Sequence, residues 1–65
     1  MKWEKLSNGD WIAQGTKGHF LLWKERVGWK GLYMIDGVRI VKYRWWDRSL
    51  ANLKKRCKAA KEWEA

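Results

Sequence analysis

Read for its apolar and polar positions, the chain falls into several short stretches of period two, followed by one stretch with a period near 3.6. His19 to Glu25 is the clearest of the first kind. Phe20 and Leu22 take one side, and His19, Leu21, Trp23 and Glu25 the other, as in a half-buried strand. Upstream, Trp3 to Leu6 and Trp11 to Gln14 are separated by Ser7-Asn8-Gly9-Asp10, and the Asn-Gly pair marks a hairpin over residues 3–14. Gly15-Thr16-Lys17-Gly18 reads as the next turn, and Arg26-Val27-Gly28-Trp29-Lys30 as a connection short enough to return the chain antiparallel. Asp36-Gly37, between two β-rich runs, is a two-residue turn signal, because Gly adopts positive φ without steric cost. That turn pairs Ile35 with Val38, Met34 with Arg39, Tyr33 with Ile40 and Leu32 with Val41. It places Tyr33, Ile35, Val38, Ile40, Lys42 and Arg44 on one face, and Leu32, Met34, Arg39, Val41, Tyr43 and Trp45 on the other.

After Trp45-Trp46 the period lengthens. Leu50, Leu53, Cys57 and Ala60 follow at steps of three, four and three, and Trp63 or Glu64 completes the row. The spacing predicts a helix over 49–63 with Ser49 as its N-cap, leaving Lys54, Lys55, Arg56, Lys58 and Lys61 on the other sides. The expected fold is therefore α+β: a small antiparallel sheet of three to five strands built from hairpins, its main strands within residues 19–46, then one C-terminal helix packed on one face. Residues 1–65 form a single domain. At 7.9 kDa such a domain buries only roughly 60% of the surface its unfolded chain exposes, so the seven tryptophans are needed first as core material.

Charge changes the picture next. Fifteen Lys and Arg against seven Asp and Glu give a net charge of +8 and a pI near 10, which calls for an anionic partner. Nucleic acid comes first and an acidic protein surface second. Candidate chemistry is sparse. His19 has no acidic or nucleophilic neighbour in sequence, Ser7 and Thr16 lie in turns, and no two carboxylates have the spacing of a nuclease or metal motif. One Cys and one His make no metal site, and no phosphate-binding or dinucleotide loop is present, so no catalysis, metal or cofactor is expected. Cys57 reads as a small buried apolar residue of a reducing compartment. No stretch reaches the ~20 apolar residues that span a bilayer and the N-terminus lacks the apolar run of a signal peptide, so no membrane role and a cytoplasmic location are expected.

Three main antiparallel strands followed by one helix, with Trp46-Asp47-Arg48-Ser49-Leu50 at the junction, resemble the arm-type DNA-binding domains of phage integrases. The resemblance covers residues 19–63 at the level of element order. In that family the sheet enters the major groove with the helix behind it, which implies that Arg39, Lys42, Tyr43 and Arg44 occupy the reading strand. In size and in its density of aromatic and charged residues, the chain is also similar to small phage-encoded accessory proteins that bind and inhibit host factors, of anti-restriction or anti-CRISPR type. The expected function is non-catalytic binding of double-stranded DNA through the sheet face, the alternative being a host protein with an acidic surface. Arg39, Lys42, Arg44 and Arg48 would contact phosphates or base edges, Tyr43 and Trp45 would pack on sugar or partner side chains, and Lys54, Lys55 and Lys58 would extend the basic surface along the helix.

Overall fold

Five antiparallel strands, each hydrogen-bonded to the next in sequence order, form a meander: β1 (Glu4–Lys5), β2 (Trp11–Gln14), β3 (Gly18–Lys24), β4 (Trp29–Ile35) and β5 (Ile40–Asp47). One helix, α1 (Leu50–Ala59), follows and packs on β4 and β5. This computed structural model describes residues 2–15, 17–35 and 40–59, and for 40–44 the strand path alone.

The turns use the residues their geometry demands. Between β1 and β2, Gly9 takes φ +93°, and the Asn8 Oδ1 accepts from the Asp10 amide at 3.0 Å, an Asx turn inside a loop closed by Leu6 N–H donating to Asp10 O. Between β3 and β4, Glu25 N–H donates to Gly28 O and Gly28 takes φ +82°. Trp29 and Lys30, read from sequence as connection, already belong to β4.

Burial alternates along β3 as the sequence requires, with Phe20 and Leu22 sealed and His19, Leu21 and Trp23 half-buried. Phe20 is the centre of the core, its ring centroid 4.9 Å from Tyr33, 5.5 Å from Trp45 and 6.1 Å from Trp3. Ala13, Leu22, Leu53 and Cys57 complete the buried set, with Trp11, Trp29, Ile35 and Leu50 packed around it. Gly31 makes room for the Leu22 side chain. A Cβ there would come within 2.5 Å of Leu22 Cδ2 and 3.6 Å of Leu53 Cδ2.

The register of β4 and β5 departs from the expected one. Ile35 pairs with Ile40 and Met34 with Val41, in place of the Ile35–Val38 and Met34–Arg39 pairs that a two-residue turn at Asp36-Gly37 would set; residues 36–39, Val38 and Arg39 among them, lie outside the described residues. A bulge then follows: Tyr33 pairs with Tyr43, Leu32 with Arg44, Gly31 with Trp45 and Lys30 with Trp46. One extra residue in β5 reverses its in-and-out alternation. Trp45 consequently sits opposite Gly31 on the helix-covered face, packed against Phe20, not on the open face with Leu32 and Met34.

The helix begins where expected. Ser49 Oγ accepts from Asn52 N–H at 3.3 Å, Ser49 O takes the first helical bond from Leu53 N–H, and Asp47 Oδ1 accepts the Ser49 amide at 2.9 Å. Leu53 and Cys57 are sealed against the sheet. Ala60, Trp63 and Glu64 of the expected stripe, and Lys61 of the expected basic side, lie outside the described residues.

Candidate nucleic-acid interface

With α1 on one face, the other face of the sheet carries three cross-strand rows. Trp23, Lys30 and Trp46 are direct neighbours across β3, β4 and β5; Glu4, Ile12, Leu21, Leu32 and Arg44 follow one another across all five strands; Gln14, His19, Met34 and Val41 form the third row. Among the described residues, no side chain on these rows is fully buried and no element packs over this face.

At the first row the face dips into a groove of about 510 Å³ lined by Trp23, Lys30, Gly31, Leu32, Trp45 and Trp46. The β3–β4 turn holds both of its outer indoles. Trp23 Nε1–H donates to Glu25 Oε1 at 3.0 Å, and Trp46 Nε1–H donates to Val27 O at 3.0 Å. The same Glu25 oxygen lies 3.6 Å from Lys30 Nζ. Gly28 makes room for the second indole, since a Cβ there would fall 2.8 Å from Trp46 Cζ2. A second, smaller depression of about 300 Å³ lies on the same face between Lys2, Glu4, Ile12 and Gln14.

The residues expected from sequence to bind are dispersed. Lys42, Tyr43 and Arg44 lie on β5, with Arg44 in the same row as Leu32, and Arg48 is exposed where β5 leaves for the helix. Trp45 is turned into the core. Lys54 serves packing: its Nζ stands 3.5 Å from the Trp11 ring centroid and 5.8 Å from that of Trp3, fastening the helix to the N-terminal hairpin. Burial lowers its pKa, while the two ring faces favour the charged form. Lys55 and Lys58 are exposed on α1, away from the open face. Arg56 is held near the strand end, its Nη1 donating to Trp46 O and lying 3.5 Å from Asp47 Oδ2.

Trp23, Lys30 and Trp46 were not singled out by sequence reasoning. Each stands alone in its own strand, and only the pairing register brings them into one row. The available signal was the alternation of β3, which puts Trp23 opposite the Phe20 and Leu22 face.

Among the described residues, no helix is long and apolar enough to cross a membrane. No protein-family model, curated protein or solved structure matches the chain.

Proposed function

We propose that this chain is a non-catalytic binding module that engages DNA through the open face of its sheet. The observation that carries this reading is the Trp23, Lys30 and Trp46 row, an aromatic and cationic surface left uncovered on a chain of net charge +8. Arg26 on the β3–β4 turn and Arg48 after β5 are exposed at the same end of the sheet, where phosphates could be met on either side of the groove. The order of β3, β4, β5 and α1, with its resemblance to arm-type domains, supports the same reading by architecture. The test is a salt titration of binding to random duplex and single-stranded DNA. Affinity should fall as salt rises, and charge-removing changes at Lys30, Lys42 or Arg44 should lower the log–log slope on duplex by about 0.9 for each phosphate no longer neutralised. Absence of any complex at about 50 mM salt would overturn the DNA reading.

A second reading, an acidic host protein as partner, draws on Val27 and Trp46. They are 58% and 45% exposed and joined by the indole hydrogen bond, an apolar spot suited to a protein hot spot. On that reading the basic residues would act mainly on association rate, and Trp46→Ala would cost on the order of 2 kcal/mol or more.

A further inference from the structure

We infer that the groove between Trp23 and Trp46 is a stacking site for unpaired bases, so that the favoured ligand is single-stranded DNA; this rests on the DNA reading above and narrows it. Trp23 and Trp46 stand on the strands either side of Lys30, which at ~4.8 Å per strand spacing sets their backbones roughly 10 Å apart, room for a flat group between or against the rings. Both indole N–H groups are already engaged, by Glu25 and Val27, so the chemistry each ring still offers is its π-face. A π-face accepts any base and gives nothing to a phosphate. The rings are also held in advance of binding: the turn anchors both, and Gly28 seats the edge of Trp46 although nearly half of Trp46 is exposed.

The charges around the groove complete the match. Lys30, between the two rings, has a side chain more than half exposed, and Arg26 and Arg48 lie at the same end of the sheet. The nearby carboxylates are already engaged, Glu25 by Trp23 and Lys30, and Asp47 by Arg56 and the Ser49 amide. Duplex DNA keeps its ring faces stacked inside the helix and would present to this groove only backbone and base edges. A single strand offers both an anionic backbone and free ring faces.

The test compares a labelled oligothymidine with a hairpin duplex of equal nucleotide count, at two or more salt concentrations, for the unaltered protein and for Trp46→Ala, Trp46→Phe and Lys55→Gln. The single strand should bind more tightly. Trp46→Ala should weaken single-strand binding roughly 5- to 100-fold with little change in salt slope, Trp46→Phe should keep most of it, and duplex binding should be unmoved by either. Lys55→Gln, on the helix, should change neither. Equal affinity for the two ligands, or full single-strand affinity in a folded Trp46→Ala, would overturn the stacking site and leave the DNA reading intact. No complex with either ligand would overturn both. A measurement independent of variant folding is photo-crosslinking of an iodouracil-substituted oligonucleotide to the unaltered protein. Crosslinks should fall on Trp23 or Trp46, and crosslinks confined to α1 would reject the site.

Discussion

Burial pushes the Cys57 thiol up to about 12, with the neighbouring Arg56 pulling more weakly the other way. At neutral pH almost no thiolate is present, so alkylation of the folded protein should be slow and should accelerate on unfolding; rapid modification of the native protein would contradict its place under the sheet. The same shift has a pH consequence. In the unfolded chain the thiol loses its proton near the ordinary 9.0, while the folded protein keeps it to about 12. Stability should therefore decline as pH rises through that window, and thermal melts of Cys57→Ala should lack that part of the decline. Two strand glycines make a second pair of expectations. A Cβ on Gly18 would fall 2.0 Å from the backbone oxygen of Met34, which cannot step aside, whereas one on Gly31 meets first the tip of the Leu22 side chain. Gly18→Ala should thus cost at least about 1–3 kcal/mol and more than Gly31→Ala in parallel denaturant titrations. At this scale much was legible in the sequence: Phe20 and Leu22 on one side of a strand, Leu53 and Cys57 on one stripe, and Gly9 at a tight turn. The work of Lys54 was not, because its partner rings at Trp3 and Trp11 are about forty to fifty positions away in the chain and meet it only after folding.

The elements repeat this division between local and non-local information. The start of α1 could be read from Ser49 and the apolar steps after it, because capping and periodicity are properties of adjacent residues. Leu53 is sealed between Gly31 and the core, so Leu53→Ala should destabilise by about 2–5 kcal/mol, and a variant melting within a degree or two of the parent would place the stripe on the surface. The Lys54 side chain joins α1 to β2. A double-mutant cycle of Lys54→Met with Trp11→Leu should return a coupling of about 0.5–2 kcal/mol, and additive effects would show the pairing to be incidental. The bulge in β5 is the feature that no local pattern announced. Val41, Lys42 and Tyr43 are all acceptable strand residues, so nothing in their order marks which one is extra. Its effect reaches the candidate site directly, since it turns Trp45 into the core and leaves Trp46 beside Lys30.

For the molecule as a whole, the tryptophans among the described residues divide by face. Trp3, Trp11, Trp29 and Trp45 pack on the core beneath the helix, as a thin domain requires, while Trp23 and Trp46 stand on the uncovered side. The α+β architecture and its positive charge were legible from pattern and composition; the row that joins Trp23 and Trp46 through Lys30 depends on three strands in register. On the proposed function this face, and not the basic helix, meets the ligand. The most direct measurement is a two-dimensional NMR titration of the labelled protein with DNA at low salt, following backbone amides and indole N–H signals. The expected result is that Lys30, Leu32 and the indoles of Trp23 and Trp46 shift or broaden together, while the indoles of Trp3 and Trp11 and the amides of Leu53 and Cys57 hold their positions. Shifts centred on Lys55 and Lys58 with the Trp23 and Trp46 indoles unmoved would contradict it.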